Sequence, residues 1–119
     1  MSRKIIQLGY GKMGKLVLDD LLKTAQFDQL LIADSNPGFL EEIKQIQDPR
    51  VKPVHFDVED HKGLVTLFQG ADIVVELLPI RFTMNVAKAI LARSRRTCRP
   101  RYAYVTYQAT EYNRVSAGP

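Results

Sequence analysis

Short apolar runs alternate with amphipathic segments along the whole chain, and this alternation restricts the fold more than any single residue does. The runs KIIQL (4–8), QLLIA (29–33), VKPVHF (51–56), DIVVELL (72–78) and YAYVTY (102–107) have the Ile, Val and Leu density of strands covered on both faces. Between the first two, Gly14, Val17, Leu18, Leu21, Leu22 and Ala25 recur at helical spacing and make one stripe. Asn36 followed by Pro37 predicts the start of a second helix, and Asp60 caps a third that closes at Gly70. After LLPI, one apolar face is formed by Phe82, Val86, Ala89 and Ile90, and another by Met84, Ala87 and Leu91, which predicts a well-buried fourth helix. Strands and helices alternate with neither a long linker nor an internal repeat. The expected class is therefore α/β, a doubly wound parallel sheet of five strands. Right-handed crossovers place strand 1 in the middle and give the order 3-2-1-4-5.

Within that frame the segment KIIQLGYGKMGKLVLDD acquires a meaning that its glycines alone would not have. Gly9, Gly11 and Gly14 lie at the carboxyl end of the central strand and open the next helix, the G-x-G-x-x-G arrangement of a Rossmann-type domain. The free N–H groups and positive dipole end of such a helix can hold a pyrophosphate. Gly9 permits the tight turn, Gly11 lets the backbone approach phosphates, and Gly14, on the buried stripe, lets helix and strand pack closely. Asp34 ends the second strand 20 residues beyond Gly14, where a carboxylate can accept hydrogen bonds from ribose hydroxyls. A carboxylate there would repel a 2′-phosphate, so NAD is favoured over NADP, although Ser35 and Asn36 could hydrogen-bond a phosphate if Asp34 turned away. Asp57, with the Val58 backbone beside it, could reach an adenine or could simply fix the turn before Asp60. Leu77, Leu78 and Pro79 either line the cofactor channel or belong to the core. Glu76 would be costly in a doubly covered strand unless paired, or could project into the ligand crevice.

The composition limits the alternatives. A chain of 119 residues, 45% hydrophobic and 25% charged, is an ordinary globular domain, with room for one core but not for separate cofactor and substrate domains. The stretch ADIVVELLPI is too short to cross a bilayer and carries Asp72 and Glu76, and the basic N-terminus lacks the apolar run of a secretory signal. Cys98 is a single cysteine, and His55 and His61 are the only histidines, so neither a disulfide nor a metal cluster is expected and a cytoplasmic location fits best. The formal charge of +4 is local: without the five arginines of RSRRTCRPR (93–101), 12 cations face 13 acids. That segment reads as a solvated turn after a helix. Nucleic-acid binding is not expected, because no aromatic residues interleave with the arginines.

The segments IIQLGYGKMGKLV and FDVEDHKGLVTLFQGADIVVELLPIRFTMNVAKAIL, with the later strand and TYQ, together resemble the N-terminal domain of the saccharopine dehydrogenase-like family over residues 4–110. The resemblance implies an NAD(P)-dependent oxidoreductase acting at carbon–nitrogen bonds of amino-acid derivatives. It implies that Gly9, Tyr10, Gly11, Lys12, Met13 and Gly14 hold the pyrophosphate, Asp34 the ribose, Asp57 and Val58 the adenine, and Leu78 and Pro79 the middle of the cofactor. Thr106 and Tyr107 would lie near the nicotinamide. Family members carry a second domain that supplies substrate and acid–base groups. These 119 residues are therefore expected to be the cofactor-binding part of a longer enzyme, inactive alone, and no catalytic residue is assigned. The basic segment before the last strand is longer than the family's loop and lacks its glycine. The competing expectation is a regulatory nucleotide-sensing module of the kind attached to potassium transporters, which shares the glycine turn and both acids. In either case an exposed edge strand could pair with a second copy.

Overall fold

The computed structural model describes residues 3–97 and 103–106, of which 93–97 and 103–106 are described by backbone alone. Five parallel strands, β1 (Lys4–Leu8), β2 (Gln29–Asp34), β3 (Val51–His55), β4 (Ile73–Glu76) and β5 (Ala103–Thr106), are arranged in the order β3-β2-β1-β4-β5. The sheet therefore has the α/β class expected from the alternation, with β3-β2-β1-β4 in the expected sequence. At the centre Leu8 stands level with Ala33 of β2 and with Glu76 of β4, while Asp34 is level with His55 and Glu76 with Thr106. All strands point the same way, so every strand-end candidate lies along one edge of the sheet.

Two cores follow from the two-residue period of β1. Ile5, on one face, packs with Leu30, Ile32 and Val75 beneath α1 (Lys12–Thr24) and α2 (Pro37–Lys44). Ile6 and Leu8, on the other, pack with Leu31, Ala33 and Val74 beneath α3 (His61–Phe68) and α4 (Thr83–Thr97). Helices cover both faces, which is why the central strands read as near-continuous apolar runs. Phe68, Leu64 and Val65 are fully buried in the second core, each worth about 1.5–3 kcal/mol of hydrophobic burial. At the amino end of the sheet, the Asp28 and Asp72 carboxylates accept from the main-chain N–H groups of Arg3 (2.6 Å) and Lys4 (2.8 Å), closing off the start of β1.

The helix starts are chemically distinct. Asn36 Oδ1 accepts from Gly38 N at 2.8 Å and Phe39 N at 3.3 Å, and Pro37 occupies the first helical position of α2. Asp60 Oδ1 accepts from Gly63 N at 3.1 Å at the start of α3. Gly11, at the start of α1, offers no side-chain cap.

Several boundaries differ from the sequence expectation. β4 ends at Glu76, not at Leu78: Leu77 N–H still reaches Leu8 O at 2.9 Å, but Pro79 then opens a 3₁₀ turn at Ile80–Phe82. β3 is an edge strand in which only Val51 is buried, so its Lys52 and His55 are exposed. α4 is not buried all round. Val86, Ala89 and Ile90 meet the sheet, whereas Met84 and Leu91 are 63% and 56% exposed, because a helix lying on one sheet face buries only one of two apolar stripes.

Asn36→Ala should cost about 1 kcal/mol of stability by removing the α2 cap. Gly14→Ala should cost about 1–3 kcal/mol, because its added Cβ would lie 2.5 Å from Gly9 O. Urea unfolding of both variants checks the order; a Gly14→Ala midpoint equal to that of the unaltered chain would contradict the packing described.

Candidate functional site

The loop between β1 and α1 is shaped by three glycines with three different requirements. Gly9 has φ +107°, a conformation that side chains rarely adopt, and its N–H donates to Ala33 O at 2.8 Å. An added Cβ at Gly14 would strike Gly9 O and lie 3.1 Å from Gln7 Nε2. At Gly11 a Cβ would meet nothing within 4 Å, and φ there is an ordinary −71°. Gly9 and Gly14 are thus demanded by the fold itself, whereas the space beside Gly11 is open, as a site for approaching phosphates requires.

The Gly9–Tyr10 peptide is held at both ends. Its carbonyl accepts from Gln7 Nε2 at 3.0 Å, and its N–H donates to Asp34 Oδ2 at 2.8 Å. The same Gln7 nitrogen donates to Gly14 O at 3.0 Å, so one fully buried side chain spans the loop from its first glycine to its last. Asp34 Oδ1 accepts from Asn36 N at 2.9 Å, tying the glycine loop to the start of α2. The first-turn amides of α1, on Lys12, Met13 and Gly14, have no side-chain cap and present the positive end of the helix dipole to the carboxyl edge of the sheet.

Tyr10 plays a different part from its neighbours. Its ring is buried in the α1–α2 core, edge-on to Phe39 at 6.1 Å between centroids, with Lys15 Nζ 5.7 Å from its own centroid and 5.6 Å from that of Phe39. Lys15 also pairs with Glu42 at 3.1 Å. Burial, and secondarily the Glu42 charge, push the Tyr10 phenol above its usual range, with Lys15 opposing, so it stays protonated at neutral pH. Lys12 is exposed and Met13 half-buried.

The remaining candidates sit at the ends of the other strands. Ser35 is exposed directly after β2. Asp57 Oδ1 accepts from Glu59 N at 2.9 Å, which makes it a turn-forming residue, and the carboxylate is exposed. Val58 O accepts from Asn85 Nδ2 at 3.1 Å, coupling the loop after β3 to α4. Leu78 is half-buried against the α3–α4 core and Pro79 is exposed. Glu76 is fully buried and accepts from Thr83 Oγ1 at 3.2 Å, so it faces the α4 start. Thr106 ends β5 on the same edge; residues 93–97 continue α4, so Arg93, Arg95 and Arg96 belong to the helix and not to the turn expected after it, while Tyr107, Cys98, Arg99 and Arg101 lie outside the described residues. His55 and His61 are exposed, and no group of three metal-ligating side chains occurs among the described residues. No helix among them is long and apolar enough to cross a membrane.

Sequence reasoning missed Gln7. It interrupts the apolar run of the central strand, and a polar side chain buried there must find partners. The nearest polar atoms available to it are the carbonyls of the loop it precedes.

The chain is similar to known proteins. Residues 5–116 match the family model described as the saccharopine dehydrogenase NADP binding domain. Among solved structures, saccharopine dehydrogenase (L-Glu forming) from Saccharomyces cerevisiae is similar with a TM-score of 0.70 at 22% identity, over 88% of this chain and 21% of that one. Isoflavone reductase matches with a TM-score of 0.63 at 27% identity, over 79% of this chain and 34% of the other. An NADPH-dependent quinone oxidoreductase from Escherichia coli, solved with NADPH, matches with a TM-score of 0.63 at 21% identity, over 76% and 33%. This chain therefore spans about a fifth of the length of the yeast enzyme. The family description names NADP, against the preference for NAD drawn from Asp34, whose oxygens are both engaged with main-chain amides. With a match covering nearly its whole length and the glycine loop in place, the chain belongs to the saccharopine dehydrogenase family as its NAD(P)-binding domain.

Proposed function

We propose that this chain holds the dinucleotide of an oxidoreductase acting on carbon–nitrogen bonds of amino-acid derivatives, with the substrate-binding groups supplied by a part of the protein beyond these 119 residues. The observation that carries the binding half is the uncapped start of α1 beside an open Gly11. The substrate half rests on family membership. In this reading the amides of Gly11, Lys12, Met13 and Gly14 take the pyrophosphate, with Lys12 adding charge. Asp34 and Ser35 face the adenosine ribose, Asp57 and Val58 the adenine, Leu78 and Pro79 the middle of the cofactor and Thr106 the nicotinamide end. A bound nicotinamide supplies hydride transfer, and the residues of this chain bind and orient it. The family match over residues 5–116 favours this reading over a nucleotide-sensing module.

NADP is the preferred form. The Asp34 carboxylate by itself favours NAD, but its two oxygens already accept from Tyr10 N and Asn36 N, which weakens the repulsion it offers a 2′-phosphate. Exposed Ser35 beside it can donate to such a phosphate. The residual charge of Asp34 sets how large the preference is.

Calorimetric titration of the chain with NADP, NAD, ATP and AMP tests the reading. A dinucleotide binding more tightly than ATP or AMP is the expected result; preference for ATP or AMP, or no binding, would overturn it. Gly11→Val should leave the unfolding midpoint nearly unchanged, because its space is open, yet weaken dinucleotide binding by about tenfold or more. Asp34→Ser should lower affinity for both dinucleotides by loosening the loop while raising the ratio of NADP to NAD affinity. An unaltered ratio would remove Asp34 from cofactor choice.

A further inference from the structure

Gln7 has an unusual position for an amide. It is fully buried on the α1 face of the central strand, donates from Nε2 to Gly9 O and Gly14 O, both at 3.0 Å, and leaves Oε1 without a partner among the described residues. The amide orientation is set by chemistry, since the flipped form would press its oxygen against two carbonyl oxygens. A buried acceptor left unmatched is a cost to the core, here tied to the two bonds that the same amide gives the loop carbonyls. Local rules broken in this way are characteristic of places where a fold serves a ligand.

We propose that Gln7 is a positioning residue for pyrophosphate binding, a role that rests on the dinucleotide reading above. Its bond to Gly9 O turns that carbonyl inward, away from the approaching anion, and its bond to Gly14 O, whose direction α1 already sets, ties the first turn of the helix to the strand. A carbonyl turned inward turns the N–H of the same peptide the other way. For the Gly9–Tyr10 peptide that N–H is captured by Asp34, which fixes the plane from which the chain enters Gly11 and the first turn of α1. The loop therefore meets a pyrophosphate with its donors already set and the Gly9 carbonyl withdrawn, and it needs no reorganisation on binding.

The test separates ligands with a pyrophosphate from one without. NADP, inorganic pyrophosphate and adenosine 2′-monophosphate are titrated into the unaltered chain and into Gln7→Met, which keeps the length of the side chain and removes its donors. Affinity for NADP and pyrophosphate should fall by about tenfold or more, while that for the monophosphate stays within about twofold. Gln7→Glu provides the second variant. Its ionised carboxylate would face two carbonyl oxygens, whereas its protonated form can donate to one of them. Burial raises such a carboxyl's pKa, so pyrophosphate binding by this variant should be weakest at pH 8 and recover towards pH 5, beyond any change in the unaltered chain. Equal loss for all three ligands, unchanged NADP affinity in folded Gln7→Met, or failure of both variants to fold would overturn the positioning role and leave the dinucleotide reading standing. If the unaltered chain bound neither NADP nor pyrophosphate, both would fall.

Discussion

The architecture of the site depends on one peptide group. Between Gly9 and Tyr10 the chain leaves the central strand, and there the carbonyl is held by a buried amide while the N–H is held by a carboxylate from the neighbouring strand. Each bond is modest in net free energy, but together they fix a plane from two opposite sides, one of them fully buried and the other half-buried. The turn cannot rotate without breaking one of them. Gly9 can hold the required positive φ because it has no Cβ, and its own N–H is tied to Ala33. The glycine loop is thus less a flexible stretch than a rigid corner made from residues that tolerate it.

From that corner the rest of the site follows geometrically. α1 starts with its amides uncapped, while Asn36 and Asp60 cap the starts of α2 and α3 with their own side chains. A charge of opposite sign placed near those free donors is stabilised by the local dipole, and the open space beside Gly11 gives it room. Asp34 belongs to two functions at once. It braces the loop through Tyr10 and sets the entry to α2 through Asn36, and any contact with a ribose would add to these duties.

Much of this is legible in the sequence, for reasons that differ by residue. The order of strands follows from alternation and handedness, and the contrast between Gly9, Gly11 and Gly14 follows from where each stands relative to strand end and buried stripe. Gln7 was not legible as a brace, because its meaning depends on carbonyls brought near it only when the loop folds back over the strand. Asp34 was placed at the right strand end, but the pattern of acid after strand says nothing of which lone pairs the main chain will take. α4 shows a further limit: periodicity identifies two apolar stripes, Val86–Ala89–Ile90 and Met84–Ala87–Leu91, without saying which one the sheet will cover. β4 shows another, since Leu77 and Leu78 have strand composition but lie beyond the ladder that ends at Glu76.

The central claim is that the uncapped first turn of α1 is an anion site built for a pyrophosphate. A ¹⁵N–¹H correlation spectrum of the chain, recorded as NADP and then inorganic pyrophosphate are added, tests it at the level of single amides. The account predicts that the Gly11, Lys12, Met13 and Gly14 signals shift with both ligands, while adenosine-side signals such as Ser35 shift with NADP alone. Shifts confined to other parts of the chain, with the four loop amides unmoved at saturation, would contradict it.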